Sequence, residues 1–504
     1  MALAGAPKTS GYTPLPQPFY PGQYGTDFNT EEYDRIVDNP FLKALDDPVS
    51  TFSVDVDTAS YSNLRRYLLE NYEMPPKDAI RIEEMLNYFD YAYPAAATGQ
   101  SVSAYFALSP APWNNQHLLL RVALSAKKIP TADLPASNLV FLVDSSGSMY
   151  DDNKLPLLKR SMRIMVEQLR PQDRVSIVAY AGSAGLALES TPGGKKEKIL
   201  SAFESLQAGG STAGGEGIQL AYRIAKENFI PGGNNRVILC TDGDFNVGVS
   251  STSELERLIE EKRKDAIYLT VLGFGVGNYK DSRMETLADK GNGNYAYIDT
   301  LQEGNKVLGK EIWGNLFAVA KDVKIQIEFN PATVREYRLI GYENRMLARQ
   351  DFNDDSKDAG EMGSGQTVTA LYELVPPQAA PTGTISPDPL VFQNTNLIPS
   401  EDLAVFRLRY KEPDDRSEES TLVETRINAT LLSKPLAEND EDFRFASAVA
   451  EFGMLLRESP YKGDSSWTTV LERARTSKGT DPEGYRAEFV RLVEMAEIVS
   501  KGAR

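Results

Sequence analysis

The chain has 504 residues, 41% of them hydrophobic, enough for roughly two to four domains with sizeable cores. Its 71 Asp and Glu outweigh 54 Lys and Arg, and the net charge of −17 argues against nucleic acid or an anionic lipid surface as a partner. One cysteine, Cys240, excludes an internal disulfide framework and a CxxC metal site, and one histidine, His117, removes most zinc constellations and most Ser/His/Asp triads.

Residues 1–40 are rich in Pro, Gly, Tyr and Thr without a hydrophobic period, which predicts a flexible arm. Leu3-Ala4-Gly5-Ala6 looks like the end of a lipoprotein signal with Ala6 where the lipid-bearing Cys would sit, so a membrane tether through such a Cys is an expectation. No run of 18 or more apolar residues indicates a membrane span. Residues 41–100 read as a small α+β segment: a short alternating strand at Thr51–Ser60, a helix from about Tyr61 to Asn71, and a second from about Pro76 to Tyr88. Within it, Asp55-Val-Asp57-Thr58 has the D-x-D-x-T form in which some phosphotransferases present a nucleophile and an acid. The preceding strand is short and no βα units flank it, so aspartates that cap a strand-to-helix turn are the preferred reading.

Residues 101–130 give two strands joined by a Pro-rich turn, with His117 expected on the surface where the turn enters the second strand. Two strands make no stable unit alone. Residues 136–317 alternate strand and helix, predicting a doubly wound, mostly parallel α/β sheet with a helix over about Leu155–Leu169 and another opening at about Gly217. Strands return in 320–432, and the expected architecture is one β-sandwich built by 101–130 and 320–432 with the α/β domain inserted into it. Residues 433–504 read as C-terminal helices with a core-facing stripe of Phe445, Val449, Phe452, Leu455 and Leu456.

The most informative stretch is Asn138-Leu-Val-Phe-Leu-Val-Asp-Ser-Ser-Gly-Ser-Met149, a buried strand ending in Asp144, Ser146 and Ser148 as D-x-S-x-S. Two further loops carry Thr212, in Gly209-Gly-Ser-Thr212, and Asp242, in Thr241-Asp-Gly-Asp244. Ligands of open α/β sheets bind beyond the carboxyl ends of the strands, and hard divalent cations select oxygen donors. Three neutral hydroxyls and at most two carboxylates leave a dication electrophilic. Mg²⁺ is the expected ion, with Mn²⁺ or Ca²⁺ as alternatives. No His, Lys or Cys stands beside these loops in a catalytic role, so no enzyme chemistry is expected there. Tyr150-Asp151-Asp152 adds two acids after the first loop; helix N-terminal acids complementing the dipole are preferred over a contribution to cation binding.

In combination these three loops resemble the metal-ion-dependent adhesion site of von Willebrand factor type A (VWA) domains. The resemblance implies metal-ligating roles for Asp144, Ser146, Ser148, Thr212 and Asp242, and a partner protein that offers an Asp or Glu to the metal. Thr51-Phe-Ser-Val-Asp-Val-Asp-Thr-Ala-Ser-Tyr61, Arg81-Ile-Glu-Glu-Met-Leu-Asn-Tyr-Phe-Asp-Tyr91 and Leu339-Ile-Gly-Tyr-Glu-Asn-Arg345 extend the likeness to a bacterial VWA family with an N-terminal associated segment and a C-terminal domain of unknown function. Members are often envelope lipoproteins. The resemblance therefore implies a cation-dependent binding module in the cell envelope. A phosphotransferase using Asp55 and Asp57, and a scaffold whose metal only stiffens the loops, are the alternatives.

Overall fold

The computed structural model describes residues 33–54, 56–181, 183–210, 214–243, 245, 252–275, 281–357, 359–380, 382–384, 397–398, 400–413 and 419–502. Most of the arm 1–40, Asp55 and Thr212 lie outside the described residues.

Ser137–Asp144 is buried along its whole length because both of its faces are covered. Leu139, Phe141 and Val143 pack on one side with Met162 and Val166 of the helix Leu155–Gln168. Val140 and Leu142 pack on the other with Ile218 and Ala221 of the helix Gly214–Glu227. An apolar run with no polar alternation is what a central parallel strand requires. Gly217 lets the second helix lie close, since a Cβ there would fall 3.0 Å from the Cβ of Tyr180 and 3.1 Å from Cδ1 of Leu142.

The six-stranded sheet runs in the order Tyr295–Ile298, Ile267–Phe274, Asn234–Thr241, Ser137–Asp144, Arg174–Tyr180, Ala184–Pro192. The first five strands are mutually parallel and the last is antiparallel to Arg174–Tyr180. That edge strand is absent from the sequence reading. It is largely exposed and its register shifts twice, so its residues carry no clean apolar alternation. Ser137–Asp144 lies between Asn234–Thr241 and Arg174–Tyr180, where successive crossovers leave in opposite directions, the position at which open α/β sheets bind ligands beyond the strand's carboxyl end.

Two further sheets enclose a common core that includes Leu120, Val122, Ile325, Ile327, Tyr372 and Phe406. One has the order Leu42–Lys43, Glu336–Ile340, Thr367–Val375, Asn114–Ala126, Val102–Ala111. The other has the order Gly360–Gly363, Ala318–Phe329, Asp402–Lys411, Thr421–Asn428, with Val49–Ser53 also paired to Ala318–Phe329. The segment 41–100 is thus not self-contained, because its two strands add to both sheets. Its helices join the C-terminal ones: Tyr61, Leu64, Ile82 and Met85 share a core with Phe445, Val449, Phe452 and Phe489. The second of these helices is shorter than expected. A 3₁₀ turn, Lys77–Ala79, is followed by extended Ile80 and then Ile82–Asn87, because the backbone N–H of Arg81 donates to Ser60 Oγ instead of continuing a helix.

His117 is not on the surface. It lies buried in the strand Asn114–Ala126, edge-on to Phe41, with Nδ1 2.5 Å from Glu373 Oε1. Glu373 Oε2 accepts from Arg338 Nη2 at 2.8 Å. Burial pushes the Glu373 carboxyl up, but the bonds and charges of His117 and Arg338 outweigh it and hold the group below its ordinary value. Asn115 and Gln116 of the polar run before His117 are exposed, as a solvated turn would be, but His117 itself is covered by Phe41 and Glu373.

Candidate metal centre

The site grows from the end of the central strand. Asp144 is its last residue and is fully buried, with Oδ1 accepting the Ser146 backbone N–H at 2.8 Å and Oδ2 accepting the Tyr180 hydroxyl at 3.0 Å. These bonds fix the carboxylate's orientation. They also turn the chain so that Ser146 Oγ and Ser148 Oγ stand 2.9 Å apart. Ser146 is buried and Ser148 exposed, so the hydroxyl pair runs from the protein interior to its surface.

The second loop is tied to the first at its root. The Gly209 N–H donates to the Ser145 carbonyl at 2.8 Å, and the Gly147 N–H donates to the Gly210 carbonyl at 3.1 Å. Gly210 has a positive φ of 83°, a conformation that suits glycine and lets the loop reverse there. Thr212 follows two positions on, outside the described residues. Asp242 comes from the third loop, immediately after Asn234–Thr241, and is buried.

Burial pushes Asp144 up to about 6, its bonds to Ser146 and Tyr180 oppose this, and the charge of Asp242 pushes it further up. The two carboxylates therefore repel each other across a desolvated site that offers hydroxyl oxygens and opens at Ser148. Such a donor set fits a hard divalent cation: a dication would reverse the penalty on Asp144, and serine hydroxyls are oxygen ligands of the required kind. Among the described residues there is no group of three or more His, Cys, Asp or Glu that could hold a metal by itself. The site differs from acid-cluster sites in relying on neutral hydroxyls.

Lys154, the residue before the helix Leu155–Gln168, places Nζ 3.0 Å from Asp242 Oδ2. It is buried, and Asp151 Oδ2 lies 3.9 Å from it. No local pattern announces this contact beyond a lysine near the first loop.

Asp57 lies elsewhere. Its Oδ1 accepts the Tyr295 backbone N–H at 3.0 Å and its Oδ2 lies 3.3 Å from Arg345 Nη2. Oδ1 thus fastens the N-terminal segment to the strand Tyr295–Ile298 of the α/β sheet, and Oδ2 fastens it to the turn Glu343–Arg345 that follows the strand Glu336–Ile340. Cys240 is buried in its strand, where burial pushes the thiol well up and leaves it inert.

A family model described as the von Willebrand factor type A domain matches residues 138–308, one described as von Willebrand factor matches 27–121, and one for the C-terminal part of the uncharacterized protein YfbK matches 314–499. The uncharacterized protein YfbK of Escherichia coli strain K12 is 45% identical over 483 residues, which make up 94% of this chain and 82% of that protein. Inter-alpha-trypsin inhibitor heavy chain H2 of Mesocricetus auratus is 23% identical over a stretch covering 60% of this chain and 31% of its own length. A solved structure of a von Willebrand factor type A protein from Catenulispora acidiphila aligns with 77% of this chain and 89% of that one at 15% identity, with a TM-score of 0.43. The chain, with a VWA domain between N-terminal and C-terminal flanks, belongs to the YfbK family.

Proposed function

We propose that this protein is a divalent-cation-dependent protein-binding module of the cell envelope, in which Asp144, Ser146, Ser148, Thr212 and Asp242 hold Mg²⁺ and a carboxylate of a partner protein completes its shell. The observation that supports this most directly is the buried Asp144 beside two serine hydroxyls, with Asp242 near enough to raise it and a mouth open at Ser148. When bound, the ion would supply a Lewis-acidic anchor for an Asp or Glu side chain. The chain's own residues orient that anchor: Tyr180 and the Ser146 amide fix Asp144, and the Gly147 and Gly209 amides lock the first two loops together. No catalytic group is assigned.

The test is capture of a partner from envelope extract with Mg²⁺ present, with chelator, and by Asp144→Ala. Chelator and Asp144→Ala should each abolish the Mg²⁺-dependent capture, and Asp55→Asn should leave it intact. Capture indifferent to chelator, with thermal stability alone responding to Mg²⁺, would move the metal to a purely structural role. Phosphatase turnover lost in Asp55→Asn would instead establish the phosphotransferase reading.

A further inference from the structure

The Asp242 carboxylate is already paired with a cation of its own chain. The Lys154 ammonium lies 3.0 Å from its Oδ2, with the lysine side chain 9% and the aspartate side chain 1% exposed. The contact is built into the fold. The Lys154 backbone N–H donates to the Asp151 carbonyl at 3.0 Å and its carbonyl accepts the Leu158 N–H at 2.8 Å, which fixes where the side chain starts. Its aliphatic stem then lies across Gly275, where a Cβ would fall 2.4 Å from Lys154 Cε and 2.5 Å from its Cγ. Gly275 has a φ of +80° and its carbonyl accepts the Tyr297 hydroxyl at 2.6 Å, so the path for the stem is held open from the other side.

We propose that Lys154 is a built-in counter-cation that lowers the site's affinity for a divalent ion and leaves the loaded site in need of an anionic ligand. The inference rests on the metal-binding reading above. Asp144, Asp242 and Lys154 together carry one net negative charge, so a bound dication leaves one net positive charge; with a neutral residue at 154 the loaded site is neutral. Among side chains this buried that difference is weakly screened. The partner's carboxylate then contributes the missing charge as well as the missing ligand, and metal and partner each strengthen the other's binding. A merely structural Lys154–Asp242 pair has a different signature: its loss would lower stability without tightening the metal.

The experiment measures Mn²⁺ affinity by loss of the free-ion paramagnetic resonance signal, and Mg²⁺ affinity by calorimetry, on the full chain at fixed pH and salt. Lys154→Met keeps the stem and removes the charge; Lys154→Gln does the same with a hydrogen-bonding tip, should the methionine variant fold poorly by thermal unfolding. Lys154→Arg keeps the charge. The neutral variants should bind either ion at least about tenfold more tightly, with the arginine variant close to the unsubstituted protein. Metal binding by the unsubstituted protein that is equal to or tighter than in the neutral variants overturns the role of Lys154 and leaves the metal reading standing. Absence of measurable binding in the unsubstituted protein and the neutral variants alike overturns the metal reading itself, and Lys154's role with it.

Discussion

Two groups of buried acids sit at the carboxyl edge of the same parallel sheet, and they resolve their charge in opposite ways. Asp144 and Asp242 follow Ser137–Asp144 and Asn234–Thr241; Asp299 follows Tyr295–Ile298. Around Asp299 the structure closes. Arg65 of the helix Ala59–Arg65 reaches Asp299 at 2.6 Å, Glu303 at 2.9 Å and Glu488 of the C-terminal helix Tyr485–Gly502 at 2.8 Å. It also donates to the Tyr88 hydroxyl at 2.6 Å, and that hydroxyl donates to Glu303 at 2.8 Å. Tyr61 stacks on Tyr88 with ring centres 3.7 Å apart and roofs the cluster. Burial there pushes Asp299 up to about 6, with Arg65 opposing and Glu303 and Glu488 adding to the rise. Asp144 is pushed equally far, but its neighbours are serine hydroxyls and an open mouth. Excess buried negative charge alone does not make a binding site. Where the surroundings are closed and aromatic, an internal guanidinium answers it; where oxygen donors line a route to solvent, an external cation can.

Removing the internal cation of the closed cluster should have the largest effect. Arg65→Met strands three carboxylates in the junction between the N-terminal segment, the VWA domain and the C-terminal helices, and should cost about 3–5 kcal/mol by urea denaturation. A loss below about 1 kcal/mol would mean that the acids are already protonated and the guanidinium is dispensable. At the open site Lys154 balances Asp242 alone, and under the proposed reading the cation that answers Asp144 would come from outside. Mg²⁺ at about 100 times its dissociation constant should stabilise the protein by about 2.7 kcal/mol and should leave Asp144→Ala unchanged. Equal stabilisation of both would place the ion somewhere other than these loops.

The closed cluster also predicts a pH dependence. Because the folded Asp299 carboxyl titrates above its unfolded value of about 4, its contribution to stability is fully present below that value and is lost as pH rises through about 6. Asp299→Asn is neutral at every pH. Between pH 5 and 7 its stability relative to the unsubstituted protein should therefore improve by about 1–2 kcal/mol, less than the full shift implies because the neighbouring acids titrate together. A difference that stays flat across this range would show Asp299 ionised throughout.

The comparison also explains what could be read from the sequence. The strand before Asp144 announces itself because both of its faces are apolar, and D-x-S-x-S at its end places three oxygen donors within five residues. The closed cluster could not be read that way. Arg65, Asp299, Glu303 and Glu488 come from distant parts of the chain, and each alone looks like an ordinary surface charge. Lys154 was missed for the same reason: its meaning lies in a stem laid across Gly275, a contact only the tertiary structure makes. His117 misled because its local polar context is that of a turn, while its burial comes from Glu373 and Phe41. Ala184–Pro192 shows the limit for strands: an exposed edge with shifted register lacks the apolar periodicity by which buried strands are recognised.

The smallest effect is expected from the acids nearest the open site. Asp151 has a side chain 70% exposed and lies 3.9 Å from Lys154, and Asp152 is exposed as well. Both lie before Lys154, the N-cap of the helix Leu155–Gln168, whose first turn holds no acid, so the expected complement to the helix dipole is not made and the two acids are solvated turn residues. Water and salt screen charges so placed, in contrast to the desolvated Lys154. The double substitution Asp151→Asn with Asp152→Asn should therefore change Mg²⁺ affinity by less than about twofold at physiological ionic strength. A larger loss, growing as salt is lowered, would extend the electrostatic boundary of the site from the buried loops to the exposed turn, and would make Asp151 a competitor with Asp242 for the Lys154 ammonium.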